Sequence, residues 1–258
     1  MPMNPRLLRP TGPRGRYRSL RVGLVAYWPF EEDASSGDVT AVDWTGRGND
    51  LTSNNSVPSV TGIQGNGRGF TTANSEFLAA AGNNADLRFM DGRDWTLAGW
   101  LYQPTTWRSN PSNDIFCGRD NLSNREIVFD LRTGPNRIVC QISPGGATST
   151  LVQLAPTGGQ AFTVNNWHFW AFTFTFATRT LRGYANDGST AQLDASSVSP
   201  AGAYQTSVDP FRLGARPWPA SENFYTGYLD EVAKWDRALS TAELQTLYNN
   251  GSGIDLRT

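Results

Sequence analysis

The chain has 258 residues, 17% of them charged, with a formal net charge of −1, 26 glycines and 15 prolines. That length suits one large all-β domain, and short apolar runs punctuated by Gly and Pro favour it over two smaller domains. No run approaches the ~18 apolar residues of a membrane helix, and Val22–Phe30, broken by Gly23 and Pro29, is too short for the apolar core of a secretory leader. A membrane-spanning helix is excluded, and export by the ordinary secretory route is disfavoured.

The charge is uneven. Arg6, Arg9, Arg14, Arg16, Arg18 and Arg21 stand in the first 21 residues with no acid among them, which leaves a body with 16 basic residues against 23 acidic ones, near −7. Met1–Leu20 holds four prolines and two glycines and has no periodicity. Residues 1–21 therefore read as an extended basic arm before a body of 22–258, and such an arm takes shape only against a surface. It lies along its own domain or docks on a partner subunit, and the second reading is favoured. Nucleic acid is disfavoured as the partner, because no lysine, and no aromatic beyond Tyr17, interleaves with the arginines to make a stacking platform.

Gly23–Phe30 (G-L-V-A-Y-W-P-F) reads as the first strand. Asp43–Leu51 (D-W-T-G-R-G-N-D-L) crowds acids and an amide around two glycines, as an oxygen-rich turn does. Gly69–Ala79 follows, then Asp94–Tyr102 with Trp95, Leu97, Gly99 and Leu101 on one face. Ile115–Cys117, Glu126–Arg132 and Arg137–Ser143 form a meander. Trp167–Phe176 (W-H-F-W-A-F-T-F-T-F) alternates most strictly: Trp170, Phe172, Phe174 and Phe176 share a face, and aromatics on both faces at 168–172 mark a central strand covered on both sides. It turns through A-T-R-T into L-R-G-Y-A-N-D-G, whose Asp187-Gly188 is a hairpin turn. Pro210–Ala215 and Tyr225–Trp235 are the last strands. Ser240–Asn249 is a helix with a Ser240/Glu243 capping box, Leu239, Leu244, Leu247 and Tyr248 facing inward, and Gly251 ending it.

Catalytic patterns are absent. Pairing 126–132 with 137–143 sets Cys140 opposite Phe129 and Cys117 opposite Glu126, too far apart for a disulfide, so both are expected to be buried thiols. His168 is the only histidine and has no Ser or Cys elbow near it, which fits a packed core histidine. Glu126 and Asp130 share a strand face at about 13 Å, too wide for retaining glycoside chemistry. Trp107, Trp218, Phe224 and Tyr225 lie in loop-like contexts. They are candidate ligand or interface aromatics, with packing inside their own domain as the alternative.

Taken in order, G-L-V-A-Y-W-P-F-E-E, D-W-T-G-R-G-N-D-L, D-W-T-L-A-G-W-L-Y, N-N-W-H-F-W-A-F-T-F and the C-terminal G-Y-L-D-E-V-A-K-W-D-R-A-L-S-T-A-E-L-Q-T-L-Y-N-N-G resemble the laminin-G-like domains of the concanavalin A-like lectin/glucanase superfamily over about residues 22–252. The resemblance implies a jelly-roll sandwich of two antiparallel sheets with one short C-terminal helix. Some members hold a structural calcium, for which the resemblance implies Asp43, Asn49 and Asp230 with carbonyls near Phe30 and Gly48; the alternative is that Asp230 pairs with Arg47 or caps a turn. The superfamily's hydrolases carry a Glu-x-Asp-x-x-Glu strand that this chain lacks. The functional expectation is a non-enzymatic virion protein, a bacteriophage capsid decoration or accessory protein on the particle surface. Its arginine arm would dock on other virion subunits, with self-association into a homo-oligomer. A carbohydrate-binding adhesion module is the alternative, and a glycoside hydrolase is argued against.

Overall fold

Large aromatics and small β-formers alternate from Trp167 to Thr175 at the two-residue period of a pleated backbone, and this stretch is a nine-residue strand. The computed structural model describes residues 17–35, 38–106, 114–120, 125–133, 136–143, 150–154, 162–186, 191–198, 203–216 and 223–258. Its strands are β1 (Leu24–Trp28), β2 (Leu51–Asn54), β3 (Ser59–Thr61), β4 (Asn66–Phe70), β5 (Phe77–Ala80), β6 (Trp95–Tyr102), β7 (Asp114–Asp120), β8 (Arg125–Arg132), β9 (Arg137–Ile142), β10 (Thr150–Leu154), β11 (Trp167–Thr175), β12 (Thr180–Asn186), β13 (Ala191–Val198), β14 (Arg212–Leu213) and β15 (Gly227–Trp235). A single helical turn, α1 (Arg18–Arg21), precedes them and α2 (Thr241–Tyr248) follows.

Two antiparallel sheets result. The eight-stranded sheet runs β13-β12-β11-β6-β15-β4-β3, with β1 also on β15, and the seven-stranded sheet runs β10-β9-β8-β7-β14-β5-β2. They face each other as the expected sandwich. Trp170 and Phe172 of β11 meet Phe116 and Phe129 of the other sheet in the main core, where Phe174 stacks on Trp95. Truncating one such ring, Phe172→Ala, would cost about 3–5 kcal/mol.

The eight-stranded sheet is apolar on its outer face too. Trp100, Phe169, Ala171 and Trp235 point outward and are buried under Leu244, Leu247 and Tyr248 of α2 and under Ile254 and Leu256 of the C-terminal tail. This is the double coverage expected from the aromatics at 168–172. The capping box of α2 forms as expected, with Ser240 Oγ accepting from Glu243 N. The helix ends on Asn249 in the left-handed conformation rather than on Gly251.

Two sequence expectations need correction. Leu20 is buried in the outer cluster, Trp235 Nε1 donates to Leu20 O (2.6 Å) and Arg237 Nη2 to Ser19 O (2.7 Å). The end of the basic arm therefore belongs to its own domain, because an apolar side chain at position 20 fills the space between β15 and the tail; Arg6, Arg9, Arg14 and Arg16 lie outside the described residues. The register also sets Cys117 opposite Phe129, not Glu126, because β7 runs on to Asp120, which pairs with Arg125, instead of ending at Cys117. Cys117 and Cys140 thus flank Phe129 from either side, and both are buried free thiols.

Candidate functional site

β1 has β15 on one flank, and its other edge would present open N–H and C=O groups to water. The segment 41–50 closes that edge. Trp44 N donates to Tyr27 O (2.9 Å), Tyr27 N to Asp43 Oδ1 (3.2 Å), Asn49 Nδ2 to Val25 O (2.7 Å) and Trp28 Nε1 to Asn49 O (2.8 Å). Gly46 and Gly48, at φ 75° and 87°, supply the left-handed turns by which the loop doubles back.

Outside this cap the two ends of the described chain converge. Arg21 Nη2 donates to Leu256 O (2.9 Å) and Thr258 O (2.8 Å), and Leu256 N donates to Tyr27 Oη (3.1 Å). Arg257 binds both oxygens of Asp255 through Nε (2.8 Å each), reaches Glu31 Oε1 (3.2 Å), and lies over the Trp44 ring 5.0 Å from its centroid. Between these groups lies a pocket of about 360 Å³ lined by Arg21, Leu24, Tyr27, Trp44, Thr45, Leu256 and Arg257. The lining offers two guanidinium groups, two aromatic rings and no carboxylate. The buried indole N–H of Trp44 has no hydrogen-bond partner.

Beneath the pocket, Tyr27 Oη donates to Glu231 and, at 3.3 Å, to Asp255 Oδ1. Glu231 sits at φ 52° where the β15–β6 register breaks between Asp230 and Ala233. Its Oε1 is buried without a partner beside a cavity of about 10 Å³. Burial first, then the charge of Asp230, pushes the Glu231 carboxyl up to about 9. Burial also raises Asp230 and Tyr27 well above their ordinary values. Arg257, although burial opposes its charge, is held above the ordinary arginine value by Asp255.

The three residues implied as calcium ligands take different places. Asp43 and Asn49 are neighbours in the edge cap. Asp43 accepts from Tyr27 N, Thr45 N, Thr45 Oγ1 and Asn49 N, and Asn49 Oδ1 accepts from Asn84 Nδ2 at 2.5 Å. Asp230 serves another loop, with Oδ2 accepting from Ile63 N (2.8 Å) and Gln64 N (3.1 Å) and Oδ1 from Glu231 N (2.8 Å). Protein N–H and O–H donors occupy these oxygens, and no donor binds both Asp43 and Asp230, so the trio does not fit a shared calcium cage as it stands. Among the described residues no group of three or more His, Cys, Asp or Glu could hold a metal.

The other expected positions divide. Phe224 and Tyr225 are buried, Tyr225 fully, with its ring 6.0 Å from those of Phe70 and Phe116. They are core rather than ligand aromatics, because Tyr225 N is tied to Gly214 O (2.8 Å) at the β14 end of the sandwich. Trp107 and Trp218 lie outside the described residues. Of the arm, Arg18 is exposed and Arg21 lines the pocket. His168 is a packed core histidine, its Nε2 2.8 Å from Thr163 O and its ring edge-on to Phe162 at 5.1 Å; burial lowers its pKa.

Glu126 and Asp130 both have structural partners. Glu126 accepts from Phe89 N, Met90 N, Arg119 Nε and Ser207 N. Asp130 pairs with Arg132 and accepts from Gln141 Nε2. The sequence reading passed over Trp44, Tyr27 and Arg257. Trp44 stands inside the D-W-T-G-R-G-N-D-L segment already singled out, but nothing local announces that residues 256–257 fold back onto it.

The family is decided by a sequence model. The concanavalin A-like lectin/glucanases model Laminin_G_3 matches residues 65–245, more than half of the chain. The chain belongs to this superfamily. A search of curated proteins found no match. Among solved structures, the binding domain of Paraclostridial Mosquitocidal Protein 1 superposes with a TM-score of 0.67 at 17% identity, covering 90% of this chain and 53% of that one. The botulinum neurotoxin serotype D binding domain gives 0.66 at 12%, covering 89% and 52%. A structure of botulinum neurotoxin type C, whose cell entry is described as dependent upon interaction with two ganglioside molecules, gives 0.67 at 11%, covering 91% and 52%. The chain spans about half the length of these structures, and at such identities the likeness is one of fold: a lectin-like β-sandwich like those of toxin binding domains. Every residue lining the pocket lies outside the matched span of 65–245.

Proposed function

We propose that this chain is a non-enzymatic recognition module of a virus particle, a lectin-like sandwich displayed outward to bind glycan and attached to other virion subunits through its N-terminal Arg/Pro segment. The observation that carries the binding half is the pocket beside β1, with aromatic walls, guanidinium donors and no acid in its lining to act on a glycosidic bond. The fixed hydrogen bonds of Glu126 and Asp130 support it, since neither is free to serve as a general acid. The attachment half is supported by Arg6, Arg9, Arg14 and Arg16, which face no acid within 1–16 and precede a domain already complete at Tyr17.

A glycan array probed with the full chain tests binding, with retention of one or more glycans expected. Co-purification of a variant lacking residues 2–16 with particles tests attachment, with loss of incorporation expected. A blank array together with undiminished incorporation would refute the proposal.

A further inference from the structure

Both guanidinium groups in the lining of the pocket beside β1 are already neutralised. Arg257 pairs with Asp255 (2.8 Å) and Glu31 (3.2 Å). Arg21 Nη2 donates to Leu256 O (2.9 Å) and to the terminal carboxylate of Thr258 (2.8 Å). Two cations thus answer to three carboxylates, and a fourth, Asp43, accepts from the lining residue Thr45. An anion entering here would meet engaged arginines and a surplus of like charge.

A neutral ligand meets no such repulsion and can still use what the arginines have left. A guanidinium carries five N–H donors. Among the described residues Arg21 Nε and Nη1, and Arg257 Nη1, donate to no protein acceptor. The carboxylates hold both groups in place, so a hydroxyl oxygen that accepts from them loses little to ordering. The rest of the wall is apolar, made by Leu24, Leu256 and the partly exposed Trp44 ring. About 360 Å³ is near the small end of the ~300–1,000 Å³ usual for small-molecule sites. Hydroxyl acceptors on one side and C–H groups on the other are the two-sided chemistry of an uncharged pyranose, and the room is that of one unit.

Building on the glycan-binding reading above, we infer that this pocket selects a single neutral sugar unit, with its hydroxyls on the spare donors of Arg21 and Arg257 and its C–H face against Leu24, Leu256 and Trp44. The test titrates the full-length chain, by calorimetry and saturation-transfer NMR, with glucose and galactose and with glucuronic and galacturonic acid. Each acid differs from its neutral partner only at C6. Wild type should bind the neutral sugar of a pair about tenfold more tightly than the acid at 50 mM NaCl. Its affinity for the neutral sugar should stay within about twofold at 500 mM NaCl, since no net charge is there to be screened.

Leu24→Trp, which fills the pocket without touching the arginines, should abolish binding. Arg21→Lys keeps a cation for Thr258 but removes the spare donors, and should weaken the neutral sugar about fivefold. Each variant is checked for an unchanged far-UV spectrum. Uronic acids bound as tightly as their neutral partners, or more tightly, overturn the inference. So does sugar binding untouched by both substitutions, which places the glycan site elsewhere and leaves the glycan reading standing. A chain that binds no sugar here or on the array loses both.

Discussion

Glu231→Gln is the sharpest test of how the acid cluster beneath the pocket is held. The side chain is buried, adjoins Asp230 and donates nothing to solvent, and its carboxyl is pushed from an ordinary 4.5 up to about 9. The folded protein thus keeps a proton that the unfolded chain releases. Its contribution to stability is complete below pH ~4.5, declines as pH rises, and is gone above about 9. At 1.36 kcal/mol per unit the loss by pH 8 has a ceiling of about 5 kcal/mol. Water entering the small cavity and relaxation at the register break reduce this, and about 2 kcal/mol is expected, worth roughly 4–8 °C in Tm for a chain of this size. Glutamine keeps an oxygen for the Tyr27 hydroxyl and removes the titration. Urea midpoints followed by tryptophan fluorescence at pH 5, 6, 7 and 8 should show wild type losing stability with pH relative to Glu231→Gln, by up to ~1.4 kcal/mol per unit. The range stops at 8 because Lys234, lowered to about 8 by burial, acts in the opposite direction above it. Two parallel curves from pH 5 to 8 would refute the reasoning.

Removing residues 2–16 should leave Tm within about 1 °C, whereas Leu20→Ala should cost about 2–5 kcal/mol by calorimetry, because the buried leucine closes the outer cluster. Millimolar calcium or EDTA should move Tm by no more than about 1 °C, since a ligand that binds only the folded state would raise it measurably; a rise of several degrees with calcium would restore the ion implied by the family resemblance. Cys117 and Cys140, both pushed well up by burial, should resist thiol reagents in the native protein and react on unfolding. Asp230→Ala should strip the acceptor from the N–H groups of Ile63, Gln64 and Glu231, at about 1–3 kcal/mol for each left buried, and abolish their hydrogen-exchange protection.

What the sequence made legible is what repeats at short period. The alternation of β11, the two covered faces at 168–172 and the capping box of α2 are each set by residues within four positions of one another, so a local reading finds them. The short strands β2 and β3 carry no such period and become strands only because a neighbour offers them a ladder. The register of Cys117 was missed because β7 runs on through polar Arg119 and Asp120, which carry no apolar strand signal, and this moves the pairing three residues along β8. The sequence left Tyr225 open between ligand contact and packing, because a Pro- and Gly-rich context reads as loop, whereas burial depends on what lies across the sandwich. The pocket was the least legible feature, joining Arg21 and Trp44 to residues more than 200 positions away.

The break in β15 explains why those distant residues meet. β15 has β6 along one flank, while its other flank is shared: β4 pairs with 227–229 and β1 with 232–235. Two strands cannot join end to end on one neighbour without a gap, and the gap falls at Asp230 and Glu231. Asp230 turns toward the β3–β4 loop and accepts its amides, and a Cβ at Gly62 would collide with that carboxylate. Glu231, forced to φ 52°, turns toward Tyr27 of β1, and Tyr27 in turn receives the tail through Leu256 N. Two adjacent buried acids thus stitch two half-strands to one neighbour and anchor the C-terminal tail over the outer face. The matched family span supplies β15 and its break, and the segments outside that span are held there and form the pocket.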